Sequence, residues 1–398
     1  MSDVDRAIAR PQPHLGERDD CRSPLRHVCF FLANLGGGGA ERMMANLASG
    51  LCSRGLRVDM VLAHASGPFL EDLDEGVHVV DLGQRTLRTS IPPFVRYLRR
   101  EQPQIVVTTL AYTSVGAALA HAVARADAKL FIREASTPSK RSTRHPKEFA
   151  IALMTRAAYR YAHRVIAVSH GVAADLHESL RLPVGRIKVL PNPVVTPDIS
   201  EKAGLDPGHR FFDDATPVVL AVGRLHPDKG FDLLIRAFAT VRARRAARLI
   251  VLGEGAERAA LESLVERLGL KADVDLPGFV ANPFAYMARS DAFVLSSWRE
   301  GLPGVLIQAM ATGCPVLATD CRSGPTEILD GGRYGPLVPV GDVEALASAI
   351  AKVLDEPPER ETMRQASLRY SSDRIIEEYR TTFEEALKPG PVDDRRQA

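Results

Sequence analysis

Three stretches of this sequence combine glycines, fixed charges and hydrogen-bonding side chains at spacings that could do chemistry. The first is Val222-Gly223-Arg224-Leu225-His226-Pro227-Asp228-Lys229-Gly230, after an apolar run and before a helical pattern. Arg224 and Lys229 are two permanent cations on one loop. A departing diphosphate needs such a pair, because its negative charge must be stabilised as the bond to it breaks. The alternative is a solvated loop with two unrelated charges. The second stretch is Arg299-Glu300-Gly301-Leu302-Pro303-Gly304-Val305-Leu306-Ile307-Gln308, then Thr312-Gly313-Cys314-Pro315. Pro303 suits a first helical turn, so the Gly304 and Val305 amides would be unpaired and able to hold a phosphate. Gln308 lies one turn on, within reach of a sugar hydroxyl. Glu300 could instead be only a negative charge near a helix start, worth under about 1 kcal/mol. The third is Gly36-Gly37-Gly38-Gly39-Ala40-Glu41-Arg42. Its glycines would let backbone approach an anion or a sugar, or simply make a tight strand–helix turn. The spacing is not that of a dinucleotide fingerprint, and Asp81 lies too far on to close one.

The elements that must carry these loops alternate. Strands are predicted at 28–33, 58–63, 77–82, 105–109, 129–133, 165–168 and 187–190, with helical spacing at 40–51, 114–126 and 149–162. Residues 191–214 break the pattern with four prolines and two glycines and read as a linker plus loop. Alternation restarts with strands at 218–222, 249–252, 274–276, 292–295 and 316–318, and helices from Phe231, up to Leu268 and from about Pro303. Residues 372–387 read as a terminal helix. Strand–helix–strand alternation of this kind means an α/β protein of two doubly wound parallel-sheet domains, with a cleft where their strand carboxyl ends can face. The expected division is a loose tail at 1–24, a first domain at 25–195, a linker at 196–214, a second domain at 215–370, a helix at 371–388 and a tail at 389–398.

At 398 residues the chain suits two ordinary domains, and 45% hydrophobic with 25% charged residues argues against wholesale disorder. The net charge of +2 hides an asymmetry: residues 1–197 carry 26 basic and 18 acidic side chains, the remainder 25 and 31. The first half therefore faces something negative. Five cysteines with no CxxC pair argue against a disulfide framework or a zinc site. The first 24 residues lack an apolar core and do not read as a signal peptide. The uncharged run 105–124 contains Thr108, Thr109, Tyr112, Thr113, Ser114, Gly116 and His121, so a buried strand followed by a helix is expected there rather than a membrane span.

Taken together, GGGGAER, VGRLHPDKG, LPGFV at 276–280, REGLPGVLIQAMATGCPVLATD at 299–320 and SGPTEIL at 323–329 resemble the retaining glycosyltransferases of family 4. Order and rough spacing match over about 27–387. The resemblance implies the GT-B architecture, two Rossmann-like domains facing across a cleft. It implies that Arg224 and Lys229 hold the nucleotide diphosphate, that Glu300 binds donor-sugar hydroxyls, and that the Gly304 and Val305 amides hold phosphate. Val280 would meet the nucleotide base through its backbone, and Gly37 and Gly38 would approach the diphosphate or donor from the first domain. It further implies a hexosyltransferase of the EC 2.4 class, using a nucleotide-sugar, by family habit a UDP-sugar. The acceptor would be a glycan or lipid-linked glycan in polysaccharide, lipopolysaccharide or glycolipid assembly. With no evident carboxylate nucleophile, retention would follow from the departing diphosphate taking the acceptor's proton on the same face.

Two positions depart from the family pattern. The usual signature is Glu, seven residues, Glu, and here the second position is Gln308, whose amide can still meet two ribose hydroxyls. The loop after the fifth strand, where many members carry a histidine, reads Phe131-Ile132-Arg133-Glu134-Ala135-Ser136, so an acceptor-side polar role falls to Arg133 or Glu134. No metal or organic cofactor is expected. Asp273-Val274-Asp275 is an Asp-x-Asp, but it falls inside a predicted strand just before LPGFV rather than on a loop.

Residues 133–164 hold eight basic residues (Arg133, Lys140, Arg141, Arg144, Lys147, Arg156, Arg160 and Arg164) against Glu134 and Glu148, with Phe149, Ile151, Leu153, Met154, Ala157 and Ala158 as an apolar component. This helix either lies on an anionic membrane surface or packs on its sheet with a solvated basic face. The expected setting is cytoplasmic, peripheral on the inner face of the cell membrane. Nucleic acid is not expected as a partner: aromatics are 6% and no stacking pattern accompanies the charges. The competing functions are a sugar-nucleotide epimerase of the same fold, for which no acidic catalytic residues can be located, and a non-catalytic nucleotide-binding relative, for which Gln308 is the one hint.

Overall fold

The computed structural model describes residues 24–36, 38–137 and 146–388, with the side chains of 146–149 left out. The expected tails at 1–23 and 389–398, Gly37, Lys140, Arg141 and Arg144, and the side chains of Lys147, Glu148 and Phe149 lie outside the described residues. The chain forms two compact units. One comprises residues up to Val168, Ala173–Pro193 and those from Asp373 on; the other comprises Ser169–Val172 and Val194–Ser372.

In the first unit, strands β1 (His27–Leu32), β2 (Arg57–Leu62), β3 (His78–Asp81), β4 (Ile105–Thr109), β5 (Lys129–Glu134), β6 (Arg164–Ala167) and β7 (Ile187–Val189) form one sheet in the order β3-β2-β1-β4-β5-β6-β7. All its pairings are parallel. Central strands such as β1 and β4 are buried along their whole length, which is why they read as unbroken apolar runs rather than as alternation. The uncharged run 105–124 is β4 followed by the helix Ala111–Ala124.

The second unit repeats the plan. Strands β8 (Val218–Val222), β9 (Arg248–Leu252), β10 (Val274–Gly278), β11 (Ala292–Leu295), β12 (Val316–Thr319) and β13 (Leu337–Val338) form a parallel sheet in the order β10-β9-β8-β11-β12-β13. In both sheets the order reverses beside the first strand, between β1 and β4 and between β8 and β11. Such a reversal opens a crevice outside the strand carboxyl ends, where open α/β sheets take their ligands.

Three features go beyond the sequence reading. The two-residue β13 is too short to show a period. The segment 196–214, read as a linker, holds the short helix Ile199–Ala203 and the turn Arg210–Phe212, with Phe211 buried and His209 3.0 Å from Asp275 in the second unit. The final helix, Ser372–Leu387, belongs to the first unit: Ile375, Ile376, Tyr379 and Phe383 join the core built on β1, β2 and β4. Phe383 meets Phe131 edge-on at 4.9 Å, and a Cβ at Gly50 would stand 2.1 Å from Ile376.

Among the described residues, no helix is long and apolar enough to cross a membrane, no group of three His, Cys, Asp or Glu side chains could hold a metal ion, and Cys29, Cys52 and Cys314 form no disulfide.

Candidate active site

The crevice of the second sheet lies between the loops that leave β8 and β11, and these hold the charged residues singled out above. β8 ends at Val222; Arg224 follows on the exposed face of the loop, and Lys229 ends the turn Pro227–Lys229 just before the helix Phe231–Arg242. The loop's path is dictated by close backbone contact. A Cβ at Gly253, after β9, would sit 1.9 Å from the Gly223 carbonyl oxygen, and Leu225 N–H donates to the Glu254 carbonyl at 2.8 Å. Gly230 takes φ +60°, and a Cβ there would lie 2.3 Å from the Ser296 carbonyl oxygen. Only glycine allows β8's loop to turn into its helix this close to the end of β11.

From β11 the chain runs Ser296-Ser297-Trp298-Arg299-Glu300. Ser296 Oγ donates to the Lys229 carbonyl at 2.8 Å, and Trp298 N–H donates to the Asp228 carbonyl at 2.8 Å. Arg299 Nε donates to Asp228 Oδ1 at 3.0 Å. These bonds join the two loops and bring Lys229 Nζ to 2.6 Å from Glu300 Oε1, which also accepts from Ser297 Oγ at 2.7 Å. Ser323 Oγ holds the Glu300 carbonyl at 2.7 Å. Glu300 is thus gripped from both its main chain and one carboxylate oxygen. Its Oε2 has no hydrogen-bond partner among the described residues.

The helix Gly304–Ala311 begins just beyond. Among the described residues the Gly304 and Val305 amides have no acceptor, as expected of a first turn capped by Pro303. A Cβ at Gly304 would touch only Val194, at 3.7 Å, so crowding within the protein does not explain the glycine. Half-buried Gln308 lies one turn on, and its side-chain amide is uncommitted among the described residues. Val280 is half-buried beyond β10, following Phe279, which is 77% exposed. Gly278, at φ +94°, lies under the Glu254 carboxylate.

Arg224, Lys229, Glu300, Gly304, Val305 and Gln308 therefore share the β8–β11 crevice, while Val280 stands two strands away at the end of β10. Sequence reasoning missed Ser296, Ser297, Asp228, Ser323 and Trp298. The hydroxyl pair and the chain's one tryptophan directly before Glu300 were the available signal. The Trp298 ring packs over Gly341, where a Cβ would come within 3.0 Å of it. Asp273 pairs with Arg242 at 2.8 Å and Asp275 with His209 at 3.0 Å, so the two acids have separate partners.

In the first unit, Gly38 precedes the helix Gly39–Cys52, and the Glu41 carboxylate folds back over it, 2.3 Å from where a Cβ would be. Arg133 and Glu134, at the carboxyl end of β5, are only 2% and 3% exposed. Arg133 donates to Asn192 Oδ1. Glu134 accepts from Tyr159 OH at 2.6 Å and from the Ser136 amide and hydroxyl at 3.1 and 2.8 Å. Both side chains are thus buried at the strand end rather than exposed on the loop, and Arg133 Nη1 has no hydrogen-bond partner among the described residues.

The family model described as Glycosyltransferase Family 4 matches residues 37–197, and that described as Glycosyl transferases group 1 matches residues 216–356. The N-acetylgalactosamine-N,N'-diacetylbacillosaminyl-diphospho-undecaprenol 4-alpha-N-acetylgalactosaminyltransferase of Campylobacter jejuni is 31% identical over 57% of this chain and 61% of its own length. The chain thus spans about three-fifths of that relative. The lipopolysaccharide core biosynthesis glycosyltransferase LpsD of Rhizobium meliloti is 26% identical over 88% of this chain and 96% of its own. The crystal structure of Anabaena Alr3699/HepE in complex with UDP superposes with a TM-score of 0.73, covering 90% of this chain and 100% of that one at 23% identity, a likeness of fold. The chain belongs to the GT-B glycosyltransferases of the family-4 type.

Proposed function

We propose that this protein is a retaining glycosyltransferase that moves a hexosyl group from a UDP-sugar to a glycan or lipid-linked glycan in polysaccharide, lipopolysaccharide or glycolipid assembly. The observation that carries this reading is the meeting of Lys229 and Glu300 at 2.6 Å in the β8–β11 crevice, beside the unpaired amides of Gly304 and Val305. Arg224 and Lys229 stabilise the diphosphate as it departs, and the helix amides take its remaining charge. Glu300 Oε2 accepts donor-sugar hydroxyls, Gln308 meets the ribose, and the Val280 backbone meets the base. With no carboxylate nucleophile assigned, the diphosphate itself takes the acceptor's proton on the face it leaves, and no metal is required. The UDP bound in the HepE structure supports the choice of donor, and the diphospho-undecaprenol in the name of the Campylobacter relative supports a lipid-linked acceptor.

The same reading places the protein on the inner face of the cell membrane. Tyr112, Leu119 and Val123 form one exposed stripe of the uncharged helix Ala111–Ala124, and Leu153, Met154 and Tyr161 form another on the helix Pro146–Tyr161, which packs beside it. Arg125, Arg156 and Arg160 flank these stripes, an arrangement that suits anionic lipid and would repel a second copy of itself.

A thermal-shift series against UDP, GDP, ADP and CMP tests the donor assignment. UDP at about 100 times its dissociation constant should add roughly 2.7 kcal/mol to the folded state. Arg224→Ala should abolish that gain. Equal stabilisation of wild type and variant would overturn the diphosphate assignment.

A further inference from the structure

At the opposite edge of the first sheet, the amino ends of β5, β6 and β7 border a cavity of about 520 Å3 lined by His121, Tyr161, His163, Arg164 and Arg186 over an apolar floor. Each side chain is placed by a different element. His121 lies on the helix Ala111–Ala124, and Tyr161 ends the helix Pro146–Tyr161. His163 precedes β6, Arg164 opens it, and Arg186 ends the turn Val184–Arg186 before β7. His121 Nε2 donates to the Ala128 carbonyl at 2.7 Å and its Nδ1 meets Tyr161 OH at 2.8 Å, which locks two walls together. Arg186 Nη1 donates to the Ala162 carbonyl at 3.0 Å, leaving its Nη2 and Nε uncommitted among the described residues.

The charge here is one-sided. Lys129, Arg164 and Arg186 surround His163, and among the described residues no carboxylate pairs with any of the three. Burial and these three cations hold the His163 imidazole below the ordinary histidine value. The same sheet handles a comparable cluster differently at the amino ends of β1–β3. There Arg57 meets Asp59 at 3.2 Å and Glu101 at 2.6 Å, and the buried Asp59 lies between His27 and His78. Cations gathered in a concave, partly desolvated place without a counter-charge repel one another, and a bound anion removes that repulsion. A guanidinium fork with uncommitted donors matches phosphate oxygens, and the volume leaves room for an organic group attached to the phosphate.

We propose that this cavity binds a phosphate group, held by the guanidinium groups of Arg164 and Arg186 with His163 beside them, either as a soluble phosphate ester or as the headgroup of an anionic lipid. It lies at the amino edge of the sheet, away from the loops that follow β1, β4 and β5, and it does not depend on the transferase assignment. The helices whose apolar stripes face solvent also wall the cavity, so a lipid headgroup could reach it.

The test uses the full chain as wild type, Arg164→Ala and Arg164→Lys. Arg164 has no partner among the described residues, so its loss should leave the fold intact. Calorimetry with inorganic phosphate and with glycerol 3-phosphate measures soluble binding, and NMR of the His163 ring follows its titration. Flotation with phosphatidylcholine vesicles, with and without phosphatidylglycerol, measures lipid binding. Saturable binding of a soluble probe, with a rise in the His163 pKa, identifies a soluble ester. Binding only to phosphatidylglycerol vesicles, with the same rise, identifies a lipid headgroup. In either case Arg164→Ala should weaken binding about tenfold or more, Arg164→Lys should restore part of it, and UDP-induced stabilisation should not change. A His163 titration unmoved by every probe, or moved equally in Arg164→Ala, overturns the proposal. Leu153→Ser with Met154→Ser separates this site from the membrane reading, because it should abolish flotation while leaving soluble phosphate binding intact.

Discussion

Lys229 and Glu300 are 71 positions apart in the chain, and Lys229 Nζ lies 2.6 Å from Glu300 Oε1. Strand order produces this contact: β8 and β11 are neighbours, so the loops leaving their carboxyl ends share one crevice. Ser297 Oγ donates to the same Glu300 Oε1, so the carboxylate that holds the Lys229 ammonium is itself held; on the proposed function, that places the ammonium in advance for a diphosphate. Such preorganisation is where electrostatic catalysis gains most of its advantage.

Lys229→Ala should therefore lower kcat by about 10² or more while the fold is retained, as loss of one preorganised transition-state donor does. Steady-state kinetics with a UDP-sugar, alongside circular dichroism, makes the measurement. A near-normal rate would remove Lys229 from the diphosphate site.

Gln308→Glu should preserve or tighten nucleotide binding, since either side chain can accept from two ribose hydroxyls at that position. Titration calorimetry with UDP reads the effect. A large loss of affinity would show that Gln308 meets something other than the ribose.

Two glycines of the crevice should respond in opposite ways. At Gly230 the positive φ and the Ser296 carbonyl leave no place for a Cβ, so Gly230→Ala should destabilise the protein by about 1–3 kcal/mol and displace Lys229 with it. At Gly304 a Cβ fits, so Gly304→Ala should leave stability unchanged or raise it by up to about 1 kcal/mol. Its UDP affinity should nevertheless fall, if a phosphate packs against that backbone. Denaturant melts with and without UDP separate the two effects.

Stability should vary with pH through Asp59. Burial acts to raise its carboxyl, but hydrogen bonds from His27, His78 and Tyr97 hold it below the usual carboxylate range. The same contact raises His78 against the effect of its own burial. The Asp59 contribution is present above the ordinary carboxylate value and is lost as pH falls through the lowered one. The His78 contribution is complete below the ordinary histidine value and is lost as pH rises through the raised one. Both are therefore complete between about pH 4 and 6.5. Asp59→Asn should cost about 3 kcal/mol in that window, and the difference from wild type should shrink on either side. Urea melts across pH measure it.

Phe383→Ala should destabilise the first unit by about 3–5 kcal/mol, because the ring is fully buried against Phe131. Hydrogen exchange should show the loss in β1, β4 and β5 and not in the second sheet. Equal loosening of both sheets would place the helix Ser372–Leu387 differently.

What could be read from the sequence was what local periods and local chemistry encode. Twelve of the thirteen strands among the described residues fall on short apolar runs that the sequence shows directly, and the charged residues Arg224, Lys229 and Glu300 stand in glycine-flanked loops after such runs. The helix Leu87–Glu101 was not legible, since Pro92 and Pro93 fall inside it and it is held by its Thr86 cap and a buried face that includes Phe94, Val95, Tyr97 and Leu98. Nor was the place of the last helix, because an amphipathic pattern shows that a face is buried but not which sheet covers it. The role expected of Arg133 and Glu134 met the same limit: their types suggest a polar strand end, and only packing around Asn192 and Tyr159 shows them sealed inside. A sequence orders residues along one line, so it determined which loops are charged and which segments are strands. Which loops meet depends on strand order, and strand order is decided by long-range burial that only the folded chain expresses.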